Sequence, residues 1–284
     1  MVIDKSGFRM EQVLMKKLLT IAGSDCSGGA GIQADLKTFA ALGAFGMSVI
    51  TAVTVQNTRG VFGSQDVRPD IIAGQMEAVF EDIRVDGIKI GMVSCIDTID
   101  AIAAALAGYQ SAPVVLDPVM ISKSGYRLLS RDAIGALVHK LFPLASMITP
   151  NIPEAELITG IAIHTTADME KAARQLRNLG APFVLIKGGH RSSDATDVLY
   201  DGSTIRHFPG EKIQTAHTHG TGCTLSAAIA TFLAKSDLPA AAVAQAKAYV
   251  TECIANAIGI GKGVGPLNHL FPLYRKAGMF LDHR

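Results

Sequence analysis

From Leu18 onward the chain alternates short apolar runs with longer stretches whose apolar residues recur every three or four positions. This alternation predicts parallel strands joined by helices, because parallel neighbours need a long crossover and their strands are buried on both faces. The runs predict strands at 18–22, 48–55, 87–90, 114–116, 147–149 and 183–186. Ile32, Leu36, Phe39 and Ala40 trace one helical face that ends at Gly43, and Pro69 opens a second helix over 69–80. Helices are also predicted at 96–106, 133–141, 169–179, 224–234 and 240–257, and 198–201 with 205–208 around Asp201-Gly202 reads as an antiparallel hairpin.

In an open α/β sheet, ligands gather beyond the carboxyl ends of the strands. The polar residues of this chain fall there: Asp25, Gln56-Asn57, Gly91-Met92, Asp117, Asn151 and Lys187-Gly188-Gly189-His190 follow successive predicted strands. With 284 residues, 49% of them hydrophobic, the chain can bury a sizeable core, and a single domain over 18–284 is the simpler reading, with 1–17 as a leader. A net charge of +1 spread without blocks offers no footprint for nucleic acid or an anionic membrane, which leaves a small molecule as the expected partner. Cys26, Cys95, Cys223 and Cys253 lie too far apart for a zinc site or dithiol motif and suit a reducing cytoplasm. The apolar run after Lys16-Lys17 stops at Gly23-Ser24-Asp25, too short for a signal peptide, and no run is long enough to span a membrane.

The most informative segment is Thr218-His219-Gly220-Thr221-Gly222-Cys223-Thr224, a glycine-broken turn running into an apolar helix. Such a turn cradles an anion, because glycine lets backbone approach a ligand while first-turn N–H groups and the helix dipole favour negative charge. Cys223 sits in that first turn, where the same field favours thiolate. A buried cysteine after a tight turn is the plain alternative. A second glycine-rich turn, Gly23 to Gly31, lacks the dinucleotide spacing, and no Walker-type loop occurs anywhere. It suits a small polar substrate held against backbone, with Asp35 as acceptor or, alternatively, as an exposed helix charge.

Asp117-Pro118, and Asn151 with Glu154, offer oxygen ligands of the kind Mg²⁺ takes beside nucleotide phosphates, although Asn151 and Glu154 equally fit a capping box. Lys187 places a cation at a strand end. Met92, Met120 and Met47 suit either a flat apolar pocket or the core, and 120–127, containing Lys123, reads as a basic lid or an ordinary loop. His190 and His219 lie beside phosphate turns, where capping or packing also accounts for them.

The ordered set Gly23–Asp35, Gln56-Asn57-Thr58-Arg59-Gly60, Lys89-Ile90-Gly91-Met92, Asp117-Pro118-Val119-Met120, Thr149-Pro150-Asn151, Lys187-Gly188-Gly189-His190 and His219–Thr224 closely resembles the hydroxymethylpyrimidine/phosphomethylpyrimidine kinases of thiamine biosynthesis. The resemblance implies a ribokinase-like three-layer α/β sandwich with a mostly parallel central sheet, a cytoplasmic homodimer, and use of MgATP to phosphorylate a pyrimidine alcohol and then its monophosphate. It implies Gly23, Ala30, Asp35, Gln56 and Met92 as the pyrimidine pocket, and Gly220, Gly222 and the Cys223 amide as an anion hole, with Cys223 in the place of a catalytic base. Asp117, Asn151, Glu154, Lys187 and Lys123 would serve ATP and phosphate, with Asp117 and Glu154 holding Mg²⁺ through water. Tyr126 departs from the aspartate usual after Lys-Ser-Gly in this family, which leaves the lid open. Pyridoxal kinases of the same superfamily are the runner-up; those favouring pyridoxal tend to carry a lid cysteine, and 120–127 contain none. A nucleotide-binding oxidoreductase and a pyrimidine sensor without turnover are the rivals from other classes.

Overall fold

The computed structural model describes residues 15–109, 112–122, 125–189 and 194–279. Lys123 and His190, and most of the proposed leader, lie outside the described residues. One nine-stranded sheet runs through the described chain in the order β3-β2-β1-β4-β5-β6-β7-β8-β9. Its centre comprises β2 (Phe45–Asn57), β1 (Lys17–Asp25), β4 (Gly87–Ile90), β5 (Val114–Leu116), β6 (Met147–Ile148) and β7 (Phe183–Ile186), all parallel to their neighbours. Antiparallel strands close both edges: β3 (Gly60–Asp66) on one, β8 (Asp197–Tyr200) and β9 (Ile205–Phe208) on the other. The chain leaves β1 first toward β2 and later toward β4, so the carboxyl ends of β1 and β4 flank the switch point where open α/β sheets bind ligands.

Period-2 alternation divides each central strand between two cores. Leu19, Ile21, Ile88, Ile90, Leu116, Ile148, Val184 and Ile186 face a core shared with α2 (Pro69–Asp82), α3 (Ile96–Gly108), α5 (Ile152–Thr159) and α6 (Thr166–Arg177). The short α4 (Ala133–Ala136), which runs on as a π-helical turn over Leu137–Leu141, covers the same face. Leu18, Val115, Met147, Leu185 and Leu199 face the other core, under α1 (Gly31–Ala41), α7 (Thr221–Ala234) and α8 (Pro239–Ala255). α7 is buried nearly throughout, and its alanines allow a close approach: a Cβ on Gly87 would stand 3.0 Å from Ala234 and 3.2 Å from the Ala230 carbonyl. The last helix, α9 (Phe271–Lys276), follows the loop after α8.

All six predicted central strands and the hairpin are present. β2 runs on through Gln56 and Asn57 to pair with β3, so these two residues end a strand and do not follow one. β3 escaped prediction because it is exposed and glycine-containing, with little buried face to give a pattern. Met47 and Met120 pack into the first core.

The α7 side of the sheet contains a buried charge. Lys89 occupies the middle of β4, wholly buried, and its Nζ lies 2.8 Å from Asp35 Oδ2 on α1, with Thr20 Oγ1 donating to the same oxygen at 2.6 Å. Burial pulls the ammonium toward its neutral form, but attraction to Asp35, and then to Cys223 and Asp117, outweighs this and leaves the Lys89 pKa raised. Asp35 is therefore not an exposed helix charge; Lys89 and Thr20 occupy its Oδ2, while its Oδ1 is buried with no hydrogen-bond partner among the described residues. Because a buried ion pair costs most when half of it is removed, Lys89→Met is expected to lose about 3–5 kcal/mol in urea unfolding. The double change Lys89→Met with Asp35→Leu should recover more than half of that loss, and no recovery would mean that the stranded carboxylate is not its cause.

Candidate active site

β1 ends in a carboxylate that organises the turn after it. Asp25 Oδ1 accepts from Ser27 N at 2.8 Å and Ser27 Oγ at 2.7 Å, while Oδ2 accepts from Gly29 N at 3.1 Å and Ala30 N at 2.8 Å. His219 Nε2 lies 2.8 Å from the same Oδ2, although it is 194 residues away in sequence. Burial raises the Asp25 pKa, but the His219 and Ser27 bonds more than offset this and hold it at about 2. Gln33 fastens the turn from α1, accepting from Asp25 N at 2.9 Å and donating to Ser24 Oγ at 2.8 Å.

The second glycine turn stacks directly on the first. Gly220 adopts φ +83°, and a Cβ there would fall 1.8 Å from the Gly29 carbonyl oxygen, so only glycine fits. Thr224 N and Oγ1 donate to the Gly220 carbonyl at 2.9 and 2.8 Å, and buried His269 lies 2.9 Å from that hydroxyl. Burial holds the His269 pKa at about 4, so the ring is neutral at physiological pH. α7 begins here, earlier than predicted, and no side chain caps it, which leaves its positive end to a ligand.

Beside this turn lies a second ion pair. Lys187 Nζ is 2.5 Å from Asp117 Oδ1, and a Cβ on Gly222 would touch both Asp117 Oδ2 and Lys187 Nζ at 3.4 Å. Asn151 and Glu154 form the capping box of α5, with Glu154 N donating to Asn151 Oδ1 at 2.9 Å and Asn151 N to Glu154 Oε2 at 2.8 Å. Burial, with Asp117 adding and Lys187 opposing, pushes Glu154 up to about 7. Lys187 is raised: burial lowers it, but Asp117 and Glu154 attract the charge more strongly. The described residues contain no group of three or more His, Cys, Asp or Glu able to hold a metal alone. The oxygen set of Asp117 and Glu154 therefore fits an ion such as Mg²⁺ only with phosphate oxygens and water completing its shell.

Cys223 lies in the first turn of α7 and is partly exposed. Its environment reverses the expectation that the helix end favours thiolate. Desolvation pushes the thiol above its ordinary value, and the Lys89 ammonium and the Gly31 amide only partly oppose this. Gly23 and Met92 meet at the switch point, where a Cβ on Gly23 would approach Met92 Sδ to 2.9 Å. Thr51 Oγ1 fixes the Met92 carbonyl at 2.7 Å, and Ala30 occupies the N-cap of α1. Gln56 reaches across from β2, its Nε2 3.1 Å from His219 Nε2 and its Oε1 3.2 Å from Thr54 Oγ1. After β5, Ser122 N donates to the Tyr126 carbonyl and Ile121 is bridged to Arg127.

Among the described residues, the predicted ones thus gather along one edge, except Asp35, which lies beneath it. Sequence reasoning left His219 and Asp25 without a role. A strand-end aspartate with serine two residues on marks an Asx-turn, so Asp25 was readable; its pairing with His219 was not.

The phosphomethylpyrimidine kinase family model matches residues 25–268. The chain is 52% identical over 254 residues to the thiamine biosynthesis bifunctional protein ThiED of Geobacter sulfurreducens, covering 89% of this chain and spanning only 52% of that protein's length. It is also 52% identical to the hydroxymethylpyrimidine/phosphomethylpyrimidine kinase of Rhizobium meliloti, covering 88% of this chain and 96% of the relative. Among solved structures, the phosphomethylpyrimidine kinase of Clostridium difficile superposes with a TM-score of 0.76 at 51% identity, covering 84% of this chain and 99% of that one. The ADP complex of Bacillus subtilis pyridoxal kinase superposes with a TM-score of 0.84 at 39% identity, covering 91% and 99%.

The two turn glycines make opposite predictions. Gly220→Ala forces a methyl group into the Gly29 carbonyl at positive φ and is expected to lower both melting temperature and turnover. Gly222→Ala meets only ordinary contacts, so its melting temperature should be unchanged or raised, while turnover is expected to fall at least about tenfold if phosphate binds beside the ion pair that the methyl group would touch. Calorimetry beside steady-state kinetics checks both, and wild-type turnover in Gly222→Ala would remove that cradle from the site.

Proposed function

Since the chain belongs to the phosphomethylpyrimidine kinase family, we propose that its cleft performs two ATP-dependent phosphorylations in succession, first of the hydroxymethyl group of 4-amino-5-hydroxymethyl-2-methylpyrimidine and then of the resulting monophosphate. The observation that carries the reading is the contact of the two glycine turns, Gly220 on Gly29, which sets a polar pocket edge to edge with an uncapped helix start. Gln56, Met92, Gly23 and Ala30 are the residues to hold the flat ring. Asp35 supports that pocket from below through Lys89, whose Nζ would meet a Cβ on Gly91 at 2.6 Å.

Phosphoryl transfer requires little covalent chemistry from protein; catalysis is positioning and stabilisation of charge on the transferred group. The first-turn amides of α7 and the Lys187 ammonium suit that charge. Asp117 and Glu154, together with phosphate oxygens, would hold Mg²⁺, which neutralises phosphate charge when bound. In the first reaction the thiolate form of Cys223 takes the proton of the hydroxymethyl oxygen as that oxygen bonds to the terminal phosphorus of ATP and the bond to the departing ADP breaks. In the second reaction the acceptor is already an anion, with a second pKa of about 6, and needs no base. The same reading places the enzyme in the cytoplasm as a homodimer, joined through the exposed apolar residues of the β2–β3 edge, Val53, Val55 and Phe62.

The test is mass detection of products after incubation with MgATP and either the pyrimidine alcohol, its monophosphate or pyridoxal. Monophosphate and diphosphate from the pyrimidine are expected; phosphate transfer to pyridoxal alone would overturn the substrate. Because the thiol pKa is raised, its thiolate fraction climbs tenfold per pH unit throughout the range below that pKa. First-step kcat should therefore rise from pH 6 to pH 9 while the second step stays flatter above about pH 6. Cys223→Ala should abolish the rise and slow the first step more than the second. Equal losses in both steps would assign Cys223 a positional role only.

A further inference from the structure

The protons around His219 do not match the sense in which the Gln56 amide is drawn. Asp25 Oδ2 already receives Gly29 N and Ala30 N, and its companion oxygen receives Ser27 N and Oγ, so this carboxylate acts purely as an acceptor. At 2.8 Å from that oxygen, His219 Nε2 must carry a hydrogen, whether the ring is neutral or charged. Yet Gln56 Nε2, which can only donate, stands 3.1 Å from this N–H. The other arm conflicts in the same way. Thr54 Oγ1 has one proton, and the Ser24 carbonyl takes it at 2.9 Å, which leaves only lone pairs toward Gln56 Oε1 at 3.2 Å.

One half-turn of the amide about its last torsion resolves both conflicts, since oxygen and nitrogen exchange places at almost no steric cost. We infer that His219 is a positioning residue that fixes the polarity of Gln56, with the amide oxygen toward the imidazole N–H and the amide nitrogen toward Thr54 Oγ1, and that this polarity decides which ring the pocket accepts. In this state Gln56 shows the cleft a donor on its Thr54 side and an acceptor on its His219 side.

The inference rests on the reading of Gln56 as the ring-binding residue. An aminopyrimidine presents a ring nitrogen, which accepts, next to an exocyclic amine, which donates. It matches the amide in one sense only, with the amine on the His219 side. The hydroxymethyl group is on the carbon next to the amine-bearing carbon, so this sense turns it toward His219 and the Gly220–Cys223 turn that follows in the chain. The opposite amide polarity would turn the same group away. A 4-oxo ring, with N–H beside C=O, has the reversed pattern and is refused because it leaves buried polar groups facing their own kind.

The experiment compares kcat/KM for the 4-amino alcohol and its 4-oxo analogue in the wild type, His219→Phe, His219→Gln and Gln56→Leu, with KM for MgATP as a control for the rest of the cleft. The wild type should prefer the amino ring by about 100-fold or more. His219→Phe keeps the ring volume but frees the amide, so the preference should fall at least about tenfold while KM for MgATP stays within about twofold. His219→Gln, which restores an N–H donor, should restore most of the preference. An unchanged preference in His219→Phe, with both substrates weakened equally, would overturn the inference and leave His219 a packing role. A preference that survives in Gln56→Leu would instead overturn the reading of the pocket. Nitrogen-detected NMR of the intact enzyme decides the matter independently of whether the variants fold: a hydrogen on His219 Nε2 is expected, and an unprotonated Nε2 would contradict the inference.

Discussion

The carboxylate of Asp25 is the interaction on which the cleft depends. It gathers backbone donors from the turn after β1 and, through His219, ties that turn to the start of α7 from the far end of the chain. A carboxylate held at a pKa of about 2 stays ionised over the whole working range, so its side of the tie is always an acceptor. It acts beside the Gln56 contact with His219, the approach of Gly29 to Gly220 and the shared core of α1 and α7, and it is the charged member of that set. Its loss would loosen the register between the two turns, and transfer geometry tolerates little displacement.

Around this tie the charges are layered. Lys89–Asp35 lies wholly buried below the pocket, and Lys187–Asp117 lies at the edge of the anion turn with Gly222 against it. Both lysines remain cationic because a carboxylate lies within hydrogen-bond reach, despite a burial that would otherwise favour the neutral amine. Their fields converge on Cys223, where burial still wins. At rest the thiol therefore keeps its proton, and only its thiolate fraction is able to accept one.

Much of this was legible in the chain. The strand runs around Ile21, Ile88, Leu116, Ile148 and Val184 are continuous apolar segments because both faces are buried, and that pattern survives in sequence. Gly220 marked the turn because positive φ and close approach leave few other choices there, whereas Gly222 has room for a methyl group. The partners across the site were not legible. Asp35 looks like any first-helix carboxylate until β4 places Lys89 beneath it, and the pairing of Asp25 with His219 spans most of the chain. β3 was missed for the opposite reason: an exposed edge strand has no buried face to impose a period.

The most direct measurement of the account is a double-mutant cycle between Asp25→Asn and His219→Phe, scored on kcat/KM for phosphorylation of the pyrimidine alcohol. If the carboxylate and the imidazole work as one tie, the second change should cost little once the first is made, with a coupling of at least about 1.5 kcal/mol. Losses that add to within about 0.5 kcal/mol would show two independent residues and contradict the claim that one interaction sets the pocket against the anion turn.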